Sequence, residues 1–135
     1  MKILKIVSIT LIVYAGIVAL FESFLGFSQP FDENNHIVIT TFNSNQIGKE
    51  RVVSLLENDN KIYVAANHWP RAWYRQALLN PNVEVTYRGE KKLYLAVPVQ
   101  GKEHEKVNSD NAHTLTFRIL TGFPPRYFLR LEPKL

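Results

Sequence analysis

The chain has 135 residues, with 16 basic against 12 acidic for a net charge of +4, and no cysteine. The missing cysteine rules out disulfides, thiolate metal sites and catalytic thiols. The basic excess is spread singly or in pairs over Arg71, Arg75, Arg88, Lys91, Lys92, Arg118, Arg126 and Arg130; no cluster of five or more marks a nucleic-acid surface, which leaves solvated charge or contact with an anionic ligand or lipid headgroup.

From Ile6 to Phe21, sixteen positions carry no charge, between Lys5 and Glu22. With Phe24, Leu25 and Phe27 the apolar stretch reaches about 22 residues, enough to cross ~30 Å of hydrocarbon at 1.5 Å per residue. A cleaved signal peptide also places lysines before an apolar run, but it ends in small residues spaced as in A-x-A. Here Ala19 is followed by Leu20 and Phe21, so the expectation is a retained transmembrane anchor over residues 1–27. A buried core helix would show a polar face, which is missing. Lys2 and Lys5 precede the stretch, whereas Glu22, Asp32 and Glu33 follow it before the first cation, Lys49. Positive flanks stay cytoplasmic, so the remainder is expected outside, in a bacterium the periplasm. Ser8, Ala15 and Ala19 share one stripe, suited to close packing against a partner's helix.

Residues 28–35, with Pro30, read as a linker. Residues 36–135 then form one domain of about 100 residues, small enough that pairing with another chain or with the membrane face is expected. His36 to Phe42 is rich in β-branched residues and reads as a strand, followed by turn chemistry at Asn43-Ser44-Asn45-Gln46. Arg51 to Leu56 is a second strand and Lys61 to Asn67 a third, joined as a hairpin through Asn58-Asp59-Asn60.

The period then changes. Pro70 suits the first turn of a helix, and Trp73, Ala77 and Leu78 follow at helical spacing until Asn80-Pro81. Val83 to Arg88 alternates as a strand, Gly89-Glu90 turns, and Lys92 to Gln100 is a mostly apolar strand, buried or bent around a barrel. Lys102 to Val107 reads as a short charged helix. Ser109 or Asp110 is the expected cap of a further helix running through Leu115, Phe117, Ile119 and Leu120 to Gly122. Arg126 to Leu131 is the last strand. Six strands with antiparallel hairpins, and a helix between the third and fourth, suggest a mainly β fold: a small barrel with helices packed outside.

His36, His68, His104 and His113 lack metal-ligand spacing, so no metal is expected. No serine has a nucleophile-elbow context and no glycine-rich phosphate loop is present. The segment from Ala66 to Tyr74 is denser in chemistry. A strand ends and a helix begins there, carrying Trp69, Arg71, Trp73 and Tyr74. A helix start offers free N–H groups and partial positive charge, and flanking aromatics stack planar rings, so this is a seat for a flavin-like cofactor. On residue types alone, the same tryptophans are better read as filling a barrel–helix core or sitting at a membrane interface.

The stretch from Thr40 to Tyr87 resembles the deazaflavin-dependent nitroreductase family, whose members share the split β-barrel of flavin reductases and pyridoxamine phosphate oxidases. The resemblance rests on Thr40-Thr41, on Gly48-Lys49-Glu50-Arg51 with Leu55, and on Val64-Ala65-Ala66-Asn67. It continues through Pro70, Ala72-Trp73-Tyr74, Leu78-Leu79-Asn80-Pro81 and Val83-Glu84-Val85, and Arg126 to Pro133 looks like the family's closing strand. It implies a split β-barrel domain, here on the single N-terminal transmembrane helix expected from the apolar run, with a deazaflavin or FMN as hydride donor and a quinone or nitro compound as acceptor. Positions matching the family's cofactor contacts are Lys49, Arg51, Ser54, Ala66, Asn67, Trp73 and Tyr74. Lys49 and Arg51 would hold phosphate, Trp73 and Tyr74 would line the ring, and Tyr127 would reach the substrate. Where the family places Gly-Arg-Lys after the paired threonines, this chain has Phe42-Asn43-Ser44-Asn45-Gln46. Losing two cations removes charge-assisted hydrogen bonds to an anionic tail.

Two readings therefore stand. One is a membrane-anchored oxidoreductase of the nitroreductase type. The other is a non-catalytic accessory subunit of a larger membrane complex, which keeps the barrel as a binding surface and docks through its helix.

Overall fold

A computed structural model describes residues 1–28, 32, 34–67 and 72–135. Pro30, Glu33, His68, Trp69, Pro70 and Arg71, named above, lie outside the described residues. The elements are α1 (Lys2–Ser28), β1 (His36–Phe42), β2 (Gly48–Asn58), β3 (Lys61–Ala66), α2 (Ala72–Leu79), β4 (Asn82–Tyr87), β5 (Glu90–Pro98), α3 (Gly101–Asp110), α4 (Leu115–Thr121) and β6 (Tyr127–Pro133). They divide into two compact units: residues 31–112 with 126–135, and residues 1–30 with 113–125.

The first unit is a closed barrel in the order β1-β2-β3-β6-β5-β4, and every neighbouring pair is antiparallel. Strand alternation explains the interior. Ile37 and Ile39 of β1, Val53 and Leu55 of β2, Val64 of β3, Val83 and Val85 of β4, Ala96 of β5, and Leu129 and Leu131 of β6 fill it. On β3 and β6 the opposite face is buried as well. Tyr63, Ala65 and Phe128 form a second cluster with Val99 and with Val107 of α3. Both faces being covered accounts for the unbroken apolar run of β3.

Tight turns set the register. Asn58 pairs with Lys61, so only Asp59 and Asn60 connect β2 to β3, one residue fewer than the sequence suggests, because β2 continues through Asn58. Asp59 and Asn60 both take positive φ, 49° and 62°, as a two-residue hairpin requires. Arg88 and Gly89 do the same between β4 and β5.

The second unit pairs α1 with α4. α1 has one helix long and apolar enough to cross a membrane, Lys2–Leu25. Its half-buried positions Tyr14, Val18, Phe21 and Leu25 recur at helical spacing. Phe21 meets Phe117 edge-on with centroids 6.0 Å apart, and the Tyr14 hydroxyl donates to the Ile119 carbonyl at 2.8 Å. The cap of α4 differs from expectation. Thr114, not Ser109 or Asp110, accepts from the Phe117 N–H. Asp110 instead closes the last turn of α3, where its carboxylate takes Lys106 at 2.7 Å and Asn58 at 3.0 Å.

Candidate functional site

The site begins at Gly48, the first residue of β2. A Cβ there would meet Thr40 Cγ2 at 2.9 Å and Phe42 Cε1 at 3.0 Å, so β1 and β2 approach closely only because Gly48 has no side chain. The preceding turn is self-contained. Asn43 Oδ1 accepts from the N–H groups of Asn45 and Ile47, both at 2.9 Å. The segment that stands where the resemblance calls for Gly-Arg-Lys is thus a neutral Asx-type turn that satisfies its own backbone.

Beyond Gly48 the alternation of β2 decides where its cations go. Lys49 pairs with Thr41 and Arg51 with Ile39, so both share the face that lines the barrel interior further along the strand. They lie at the rim, exposed. The open end is covered by α2, whose Ala77 is buried in the barrel core with Trp73 and Tyr74 packed beside it. Thr41 is fully buried and donates to Gln76 Oε1 at 3.0 Å, fastening α2 to β1. Thr41, Lys49, Glu50, Arg51, Ala72, Trp73 and Gln76 line a groove of about 260 Å³.

The electrostatics of the groove are positive. Glu50 reaches Lys91 at 3.8 Å, and Lys91 reaches Glu84 at 3.5 Å. Among the described residues neither Lys49 nor Arg51 forms an ion pair. Two uncompensated cations beside an indole suit an anionic ligand carrying a planar ring. A phosphorylated flavin or deazaflavin has both features, so the residues present fit that group.

The remaining expected residues lie at the end of β3. Ala66 pairs with Tyr127, and Tyr127 stacks on Tyr74 with centroids 5.2 Å apart and planes 20° apart. Tyr74 in turn meets Trp73 edge-on at 6.1 Å, which joins this aromatic pair to the groove. Asn67 is buried, and its Oδ1 accepts from Arg126 Nε at 2.9 Å. Ser54 lies apart from the groove: it pairs with Ala65 and His36, on the strand face opposite to Val53 and Leu55. The structure therefore brings Lys49, Arg51 and Trp73 together. It sets Tyr74, Tyr127, Ala66 and Asn67 next to them through ring contacts and the β3–β6 ladder.

Sequence reasoning did not single out Thr41 and Gln76 as site residues. The available signals were the inward parity of Thr41 and the three-residue spacing of Gln76 from Trp73. It also missed Arg126, which binds Asn67, the Asn108 side chain at 3.1 Å and the Asn111 carbonyl at 2.7 Å. Its own carbonyl accepts from His104 Nε2 at 2.9 Å. Burial pushes the Arg126 guanidinium below its ordinary range.

No protein-family model and no curated protein matches the chain. Solved structures do match in fold. An F420-H2 dependent reductase superposes with a TM-score of 0.58 at 17% identity, over 73% of this chain and 94% of that one. A putative pyridoxamine 5'-phosphate oxidase from Listeria innocua gives 0.53 at 14% identity, over 91% of this chain and 94% of that one. A FAD-binding protein from Mesorhizobium loti gives 0.52 at 14% identity, over 76% and 81%. The six-stranded barrel expected from the resemblance is thus present, in a fold shared with these three proteins.

Proposed function

We propose that this chain is a membrane-anchored oxidoreductase of the deazaflavin-dependent nitroreductase type, which transfers hydride from a reduced deazaflavin or FMN to a quinone or nitro compound taken from the bilayer. The groove carries this reading. It sets two uncompensated cations, Lys49 and Arg51, beside Trp73, on a fold shared with an F420-H2 dependent reductase and a FAD-binding protein. Lys49 and Arg51 hold the anionic tail, while Trp73 and Tyr74 border the ring. Tyr127, stacked on Tyr74, faces the acceptor. The bound cofactor supplies the hydride, and solvent supplies the proton that completes reduction of a quinone. The chain's own part is to bind, orient and shield.

The test is an absorbance spectrum of the protein purified in mild detergent, followed by titration with deazaflavin and with FMN. Binding of one of them, weakened by Arg51→Ala, is the expected result. Protein that binds neither at millimolar concentration overturns the reading.

Two observations favour the second reading, an accessory subunit. The Asn43 turn carries no cation where the resemblance calls for two, and Lys2 and Lys5 favour an outside domain, away from a cytoplasmic pool of reduced cofactor. In that reading the barrel is a binding surface and α1 docks through Ser8, Ala15 and Ala19.

A further inference from the structure

α4 poses a packing problem of its own. It is a two-turn helix whose Leu115 and Ile119, four residues apart, are 64% and 43% exposed, followed by Phe123 at 49%. A short helix with an open apolar face is unstable in water unless something covers it. Two independent observations identify the cover.

The first is depth along α1. Tyr14, Val18 and Phe21 of α1 touch α4 or its C-terminal cap, Gly122. These lie inside the charge-free run from Ile6 to Phe21, not beyond its end. Even if the apolar layer stopped at Phe21, Tyr14 would lie about 10 Å below its surface at 1.5 Å per residue. That is the depth to which interfacial helices sink their apolar faces, roughly 5–10 Å. An element packed on α1 between Tyr14 and Phe21 must share the medium that surrounds α1 there. The exposed side chains of α1 at this level, Ile17 and Leu20, continue the same apolar surface.

The second is the treatment of the helix ends. In hydrocarbon an unsatisfied backbone group costs several kcal/mol, so termini must find partners within the protein. At the start of α4, Thr114 caps the Phe117 N–H. At its end, Gly122 adopts φ 75°, and the Arg118 carbonyl accepts from the Phe123 N–H at 2.9 Å. The Ile119 carbonyl accepts both the Gly122 N–H at 3.2 Å and the Tyr14 hydroxyl at 2.8 Å. A tyrosine on a membrane-type helix thus satisfies a helix-end carbonyl where water would normally do so. Gly122 permits the approach: a Cβ there would sit 3.1 Å from Val18 Cγ1. Small residues at such contacts are characteristic of helix packing in lipid.

We propose that residues 113–125 form a second membrane element, with α4 sunk in the bilayer beside α1 and Leu115, Ile119 and Phe123 against acyl chains. The inference rests on α1 being a membrane span. Arg118, exposed and stacked at 5.4 Å over the Phe123 ring, is long enough to carry its charge up to the headgroup phosphates from this depth. The chain is then held by a helical wedge rather than by a simple tether.

The chain has no cysteine, so single labels are unambiguous. Ile119→Cys and Phe123→Cys, with Ile12→Cys in mid-span and Lys92→Cys on the β5 surface as references, are labelled with an environment-sensitive fluorophore. The full chain is reconstituted in phosphatidylcholine–phosphatidylglycerol vesicles with or without bromine-substituted acyl chains. The expected result is loss of emission at positions 119 and 123 comparable to that at 12, with none at 92. Quenching at 12 but not at 119 and 123 overturns the proposal while leaving the anchor intact. If 119 and 123 escape bromine quenching and are also shielded from aqueous iodide, protein rather than lipid covers α4 and the proposal again fails. No quenching at 12 shows that α1 itself does not span, and the inference falls with that reading.

Discussion

Lys49 stands directly across the β1–β2 ladder from Thr41, and Thr41 in turn donates to Gln76 on α2. One register pair therefore links the rim cation, the barrel wall and the covering helix. Because the side-chain period of a strand is two, placing Thr41 inside places Lys49 and Arg51 on the same face. A one-residue slip would turn both cations away from Trp73 and put Glu50 in their place. The positive groove is a consequence of register, which Gly48 and the Asn43 turn fix.

The first prediction concerns Arg51. It is exposed and makes no ion pair among the described residues, so Arg51→Ala should change stability by less than about 0.5 kcal/mol. Cofactor affinity should fall by about 1.5–3 kcal/mol, the worth of a hydrogen bond to a charged group. Calorimetric titration with the cofactor, alongside a melting curve, checks both. Unchanged affinity would mean that Arg51 does not hold the phosphate. Trp73→Ala should weaken binding too, but it packs against the barrel core, so its melting temperature must drop as well.

The second prediction concerns Glu103 on α3. Arg130 Nη1 donates to both its carboxylate oxygens, at 2.7 and 2.8 Å, and the Tyr63 hydroxyl donates at 2.7 Å. The Arg130 and Tyr63 hydrogen bonds hold the Glu103 carboxyl below its ordinary range. A depressed carboxylate stabilises the fold fully above its unfolded pKa of about 4.3, and that stabilisation is lost as pH falls through the folded value. Burial first, then the bond to Glu103, pushes the Tyr63 phenol up to about 12. Its contribution is full below its unfolded pKa of about 10 and is lost as pH rises through about 12. Glu103→Gln should therefore lower stability at pH 7 by about 1.5–3 kcal/mol and flatten the acid side of the melting profile. A variant whose profile keeps the wild-type slope between pH 5 and pH 3 would show that this cluster does not couple to folding.

Legibility in the sequence followed the physics of each element. β1, β3 and β4 were readable because β-branched residues alternate or cluster there, and α2 because Trp73 and Ala77 repeat at helical spacing. The first residues of β2 were not, since Lys49, Glu50 and Arg51 sit exposed at the barrel rim and show no apolar alternation. The start of α4 was misplaced because Ser109 and Asp110 have cap chemistry but belong to α3. Only the partners of Asp110, Lys106 one turn back in α3 and Asn58 on β2, reveal this. The groove itself was half legible. The resemblance named Lys49, Arg51 and Trp73, whereas Thr41 and Gln76 emerge only when α2 is folded onto the barrel. Nothing local marked Arg126, whose partners lie 15, 18 and 59 residues away.

The third prediction concerns Gly122. At φ 75° an alanine is strained, and its Cβ would also press on Val18. The left-handed conformation alone costs about 1–2 kcal/mol for a residue with a Cβ. Gly122→Ala should loosen α4 from α1 without unfolding the barrel. In detergent, trypsin should cut after Arg118 faster in the variant, while the barrel's melting temperature stays unchanged. Equal cleavage rates would mean that Gly122 does not set this contact.

The fourth prediction separates the two functional readings. Lys2 and Lys5 ahead of the charge-free run of α1, against Glu22 and Asp32 after it, favour an outside domain. A reporter fused after Leu135 should then be active only on the outer side, and activity of a strictly cytoplasmic reporter would reverse the assignment. The helix offers an independent test. α4 takes the Tyr14–Val18–Phe21 stripe of α1, whereas Ser8, Ala15 and Ala19 lie on a different, exposed stripe. Replacing Ala15 and Ala19 with leucine should therefore leave the Arg118 cleavage rate at the wild-type level. If the chain is an accessory subunit docked through small residues, the same double variant should lose its co-purifying complex yet stay in the bilayer. If it is a self-sufficient reductase, the variant should keep its cofactor affinity, and the wild type should come out alone and monodisperse. Stoichiometric co-purification that survives the double substitution would exclude docking through this stripe.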